Sequence, residues 1–166
     1  MTAERKKPIR LLLVDDEADL VDFLAHRFLK QGYTVSAITS PTEALAVVRK
    51  QIFDVAILDL KMPKMDGIEL LDRIRVIQPF LQAIMLTGHG STESALEAGR
   101  LNAFRYLIKP YDYDELVEQI ESAWQRREET LEAAYQKELQ SAISPGHTSQ
   151  EILHLGDELC RKYERD

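Results

Sequence analysis

Short apolar runs alternate with amphipathic stretches along most of the chain. IRLLLV (9–14), YTVSAI (33–38), VAIL (55–58), QAIMLT (82–87) and AFRYLI (103–108) predict strands. Between them apolar residues fall three or four apart, as at Leu20, Phe23, Leu24 and Phe28, which predicts helices. Polar residues mark the boundaries. Ser40-Pro41-Thr42-Glu43 sets a capping serine before a proline at the first helical position, and Asp66-Gly67-Ile68-Glu69 and Asp112-Tyr113-Asp114-Glu115 place an acid three residues after a cap. Gly32 fits a helix stop. Five strand–helix repeats predict an α/β fold: a doubly wound parallel sheet with helices on both faces. VAIL is apolar at every position rather than at alternate ones, as a parallel strand covered on both faces must be.

In such a sheet, function collects where the strands end at their carboxyl termini. Asp15, Asp16 and Glu17 follow the first strand, Asp59 the third, Thr87-Gly88 the fourth and Lys109-Pro110 the fifth. Each has an ordinary explanation taken singly. Asp15 and Asp16 suit a helix start, Asp59 a strand stepping into water, Thr87-Gly88 a turn and Lys109 a solvated surface. Gathered at one edge they read differently. Ionised carboxylates brought together repel and need a cation, and an all-oxygen ligand set with open positions suits Mg²⁺. A carboxylate nucleophile, a divalent metal, a lysine and a hydroxyl make a phosphoryl-transfer site.

LLLVDDE, ILDLKMPKMDG, MLTGHG and YLIKP occur in that order across about residues 8–126. This set resembles the receiver domain of bacterial two-component response regulators of the chemotaxis-regulator type. The resemblance implies a flavodoxin-like sheet of order 2-1-3-4-5, in which the first and third strands adjoin and bring Asp15, Asp16 and Asp59 together. It implies Asp59 as the phosphoacceptor, attacking a phosphohistidine on a sensor histidine kinase or phosphotransfer protein. Asp16, Asp59 and the backbone carbonyl of Lys61 would ligate Mg²⁺ directly, and Asp15 would act through a metal-bound water. Lys109 would contact the phosphoryl group from beside a cis bond to Pro110. Thr87 would swing its hydroxyl to the phosphoryl oxygen, and Tyr106 would rotate into the space vacated. Without the resemblance, Tyr106 reads as strand packing with a wet hydroxyl. The readout would lie on the fourth helix, fifth strand and fifth helix. The catalytic content is limited to the protein's own phosphorylation and dephosphorylation, so it is not expected to be an enzyme. Asn102 stands where many relatives carry glycine, a mild change because asparagine tolerates a left-handed helix stop. Lys61 and His89 flank the site, at positions that influence phosphoryl lifetime in the family.

Length and charge bound the remainder. The chain has 166 residues, 45% of them hydrophobic, enough for one core with an appendage. Its 21 basic and 28 acidic residues give a net charge of -7, against a nucleic-acid surface. A single cysteine, Cys160, excludes an intrachain disulfide and suits a reducing compartment. The apolar run Leu11–Val14 is too short for a signal peptide, and no run reaches membrane-spanning length, so a soluble cytoplasmic protein without membrane contact is expected.

A receiver over 8–126 then carries a helical C-terminal extension over 127–166. Residues 113–143 predict one long helix whose apolar stripe (Leu116, Ile120, Trp124, Leu131, Tyr135, Leu139) is interrupted at Arg126-Arg127-Glu128-Glu129. Ser144-Pro145-Gly146 breaks it, and Thr148-Ser149-Gln150-Glu151 is a capping box. Ile152, Leu155, Leu159 and Tyr163 then form an apolar face that Gly156 weakens. That face either folds back on the receiver or the long helix, or serves a homodimer or a downstream partner. The tail is too short and acidic for a DNA-binding output domain. His26 reads as a solvated helix residue, and His147 and His154 lack the pattern of a phosphotransfer histidine. Two other functions compete with a phosphorylation-dependent switch: a phosphorylation-independent scaffold of the same fold, and an aspartate-nucleophile phosphatase of the haloacid dehalogenase class. The latter needs an acid two residues after the nucleophile, where Lys61 stands.

Overall fold

The computed structural model describes residues 7–88, 103–143 and 146–164. The chain divides into two compact units, Met1–Gln125 and Arg126–Asp166. The first holds β1 (Arg10–Val14), α1 (Ala18–Lys30), β2 (Thr34–Ile38), α2 (Pro41–Val48), β3 (Val55–Asp59), α3 (Gly67–Ile77), β4 (Gln82–Thr87) and β5 (Arg105–Ile108). A long helix, α4 (Tyr113–Ala142), begins in the first unit, and α5 (Ser149–Lys162) belongs to the second. The helix expected before Asn102 falls among residues 89–102, outside the described residues, as do His89 and Asn102 themselves.

The strands form one parallel sheet in the order β2-β1-β3-β4-β5, as the resemblance implied. The alternation of side chains along each strand divides the core into two layers. Leu11 and Leu13 of β1, Val55 and Ile57 of β3, and Ile84 and Leu86 of β4 pack with Val21, Leu24 and Phe28 of α1 and with Leu116 and Ile120 of α4. Leu12, Val14, Ala56, Leu58, Ala83 and Met85 face the other way, against Leu45 and Val48 of α2 and Leu70, Leu71 and Ile74 of α3. β3 is buried along its whole length because it serves both layers at once. Each large aliphatic side chain so enclosed contributes about 1.5–3 kcal/mol. β2 and β5 are the sheet edges and are only partly covered.

The boundaries follow local chemistry. Gly32, at φ +88, ends α1. Its N–H donates to the Leu29 carbonyl (3.1 Å) and that of Tyr33 to the Phe28 carbonyl (3.2 Å), while the Phe28 and Tyr33 rings meet edge to face. Asp66 caps α3 by accepting the Glu69 N–H at 2.8 Å, and Asp112 accepts the Glu115 N–H at 3.0 Å. Pro41 opens α2 as expected, but the Ser40 side chain makes no capping bond. At the amino-terminal ends of β1 and β3, Arg10 grips buried Asp54 through its N–H and guanidinium.

In the second unit the capping box at Thr148 and Glu151 is complete. The carboxyl end of α5 folds back on the long helix: Leu159 and Tyr163 are buried, the Tyr163 ring meets that of Tyr135, and its hydroxyl donates to Glu138 at 2.5 Å. Ile152 and Leu155 are half-buried. Arg127, read in the sequence as an interruption of the stripe, is 4% exposed. Its guanidinium is held by Glu164 (2.8 Å) and Glu128 (3.2 Å), which makes a charged position compatible with burial.

Candidate functional site

The register of the sheet assembles the site. β1 and β3 pair Val14 with Leu58, so Asp15 emerges next to Asp59, the last residue of β3. Thr87 likewise closes β4 rather than following it, and pairs with Ile108 of β5, just before Lys109. One carboxylate oxygen from each of Asp15, Asp16 and Asp59 lies within 4.8 Å of the others. Asp15 and Asp59 are buried, whereas Asp16 faces solvent.

Lys109 reaches into this group from β5. Its ammonium donates to Asp15 Oδ2 at 2.9 Å and stands 3.6 Å from Asp59 Oδ1. Its peptide bond to Pro110 is cis, and its own N–H donates to the Thr87 carbonyl at 2.6 Å. The other Asp15 oxygen accepts the Glu17 N–H at 2.9 Å, at the start of α1.

Burial and the neighbouring Asp15 charge push the Asp59 carboxyl up to about 6, with Asp16 adding and Lys109 opposing. Burial works against the Lys109 charge, but the Asp15 hydrogen bond and the negative charges of Asp15, Asp59 and Glu17 outweigh it and raise its pKa. The positive charge is therefore secure, and Asp59 is a carboxylate held under electrostatic load. The three acids offer hard oxygen ligands and could hold a metal ion.

Of the residues singled out in the sequence, Asp15, Asp16 and Asp59 converge, and Lys109 reaches Asp15 and Asp59. Thr87 is buried at 1% exposure at the same edge. Lys61 is exposed two residues past Asp59. Tyr106 packs against the α2–α3 layer, and its buried hydroxyl has no hydrogen-bond partner among the described residues, which departs from the wet hydroxyl expected of a packing tyrosine.

Two residues went unremarked as site residues. Tyr111 is half-buried near Lys109; burial raises its pKa, with Asp15 and Glu17 adding and Lys109 opposing. Gly67, read only as part of a helix start, approaches the Asp59 backbone so closely that a Cβ there would lie 2.2 Å from the Asp59 carbonyl oxygen. Its place in KMPKMDG was the one available signal.

Fold and site together define a domain with an acidic cluster at the carboxyl ends of the strands of a five-stranded parallel sheet. Residues 11–121 match the model of the response regulator receiver domain, and the chain belongs to that family. It is 40% identical over 117 residues to the transcriptional regulatory protein GlrR of Escherichia coli (strain K12), a match covering 70% of this chain and 26% of that protein. The chain thus spans about a quarter of the length of such curated relatives. The crystal structure of a CheY-like response regulator receiver domain protein from Methanospirillum hungatei JF-1 superposes with a TM-score of 0.72 at 30% identity, covering 75% of this chain and 99% of that one. The beryllofluoride-activated NtrC4 receiver domain, solved as a dimer, gives a TM-score of 0.67 at 30% identity over 71% of this chain and 98% of that one. Among the described residues no helix is long and apolar enough to cross a membrane.

Proposed function

We propose that this chain is a phosphorylation-dependent signalling switch with Asp59 as the phosphoacceptor. The observation that carries this reading is the convergence of Asp15, Asp16 and Asp59 within 4.8 Å, with the Lys109 ammonium 2.9 Å from Asp15 and 3.6 Å from Asp59. An Asp59 oxygen attacks the phosphorus of a phosphohistidine on a sensor kinase or phosphotransfer protein. The P–O bond forms as the P–N bond breaks, and the imidazole leaves. Lys109 neutralises charge gathering on the equatorial oxygens, and the Thr87 hydroxyl donates to one of them.

The donor set fits Mg²⁺, which Asp16, Asp59 and the Lys61 carbonyl would hold, with Asp15 acting through a metal-bound water. When bound, the ion offsets the repulsion among the acids and the incoming phosphoryl charge. Tyr106 is the element that responds. Its buried hydroxyl has no partner among the described residues, which favours a side chain with a second position available to it. Output then passes through protein contacts at the β5 edge and the start of α4, or through the second unit. Self-association, as in the NtrC4 receiver dimer, is one form such an output takes.

The test is intact-protein mass after incubation with acetyl phosphate or phosphoramidate, with and without Mg²⁺. The wild type should gain one phosphoryl group only with Mg²⁺, and Asp59→Asn should gain none. An equal gain in Asp59→Asn would move the acceptor elsewhere. No gain with either small donor or with a phosphorylated histidine kinase would leave the scaffold as the better account.

A further inference from the structure

One close contact at the site involves the backbone of Asp59 rather than its side chain. Gly67 opens α3, directly after the capping Asp66. Its φ lies outside the left-handed region, so the backbone there would accept any residue. Space is what demands glycine. A Cβ would fall 2.2 Å from the Asp59 carbonyl oxygen, 3.0 Å from its carbonyl carbon and 2.8 Å from Met85 Cε. The methionine methyl ends a flexible side chain and can swing aside. The carbonyl cannot, because the main chain on both sides is tied down. The Leu60 N–H donates to the Leu86 carbonyl at 2.8 Å, and the Gly67 N–H donates to the Leu60 carbonyl at 2.8 Å.

We infer that Gly67 is a positioning residue for the phosphoacceptor: its bare Cα sets the Asp59 peptide plane, and through it the direction of the Asp59 carboxylate and the Lys61 carbonyl. The inference deepens the proposed function and rests on it. Any side chain at 67 pushes the Asp59 carbonyl away, which turns the carboxylate relative to Asp15 and Asp16 and spoils a site in which an error of about 0.5 Å matters. Lys109 cannot compensate, since it already holds Asp15.

The experiment is calorimetric titration of the full chain with Mg²⁺ alone, well below the melting midpoint, on the wild type, Gly67→Ala, Met85→Leu and the double variant. Acetyl phosphate labelling at saturating Mg²⁺ is followed in parallel. Gly67→Ala should bind Mg²⁺ at least tenfold more weakly and label more slowly, whereas Met85→Leu should stay within twofold of the wild type. The double variant, which lacks the Met85 methyl, should regain part of the melting temperature but not the Mg²⁺ affinity. It also serves if Gly67→Ala alone does not fold. Wild-type affinity in Gly67→Ala, or its return in the double variant, overturns the inference and leaves Gly67 a packing residue. A wild type that neither binds Mg²⁺ nor labels defeats the phosphoacceptor reading itself, before any variant is compared.

Discussion

Asp59 carries a cost in the folded protein that can be measured directly. Its folded pKa of about 6 lies above the ordinary 3.8, because burial and Asp15 disfavour the charge. Well below pH 3.8 the side chain is protonated whether the chain is folded or not, and it costs nothing. Between about pH 4 and 6 the unfolded chain releases this proton while the folded protein keeps it, so stability relative to a neutral residue falls across that window and is level above it. In the absence of divalent metal, Asp59→Asn should therefore be more stable than the wild type by about 1–2 kcal/mol at pH 7.5, a linkage value discounted for solvent at the pocket mouth. Urea unfolding from pH 4.5 to 8 should show that gap closing toward the acid end, and a gap independent of pH would refute it. Asp59, Asp15, Asp16 and Lys109 were legible in the sequence because strand ends are easy to locate and their charges are conspicuous. Gly67 was not, since its constraint comes from a carbonyl eight positions earlier that only the folded loop brings near.

Elements announced by short-range chemistry were the readable ones. Gly32 ends α1 with both expected backbone bonds, and Thr148 and Glu151 start α5 as a reciprocal cap. Such signals act within a few residues, so a linear pattern contains them whole. Ser40 shows the limit: it sits at the cap position of α2, yet its hydroxyl does not bond there. Arg127 shows another, because its partner Glu164 lies 37 residues on. Gly156 is the weak point of α5, as the sequence implied. A Cβ at that position meets nothing within 4 Å. Gly156→Ala should therefore stabilise α5 by about 0.5–1 kcal/mol, through helix propensity alone. Slower amide exchange across residues 149–162, with residues 10–88 unchanged, is the measurement that checks it.

Across the whole molecule, the sheet order came from motif resemblance rather than from periodicity, which identifies strands but not their neighbours. That order places β3 between β1 and β4, where every residue is buried, and β5 at an edge where none is. Opening free energy follows such differences in cover. Hydrogen exchange should be slowest at Ala56, Ile57 and Leu58 and faster at Tyr106 and Leu107. Equal protection in the two strands would contradict it.

β3 is clamped by two independent hydrophobic layers, and loosening one leaves the other gripping the same strand. Asp59 is thus mounted on a strand buried from end to end, and Tyr106 on one with no fully buried residue. The proposed switch would draw on both properties, a fixed acceptor and a less enclosed responder. Here the distance between them is one strand, β4, which ends on Thr87 and touches each side.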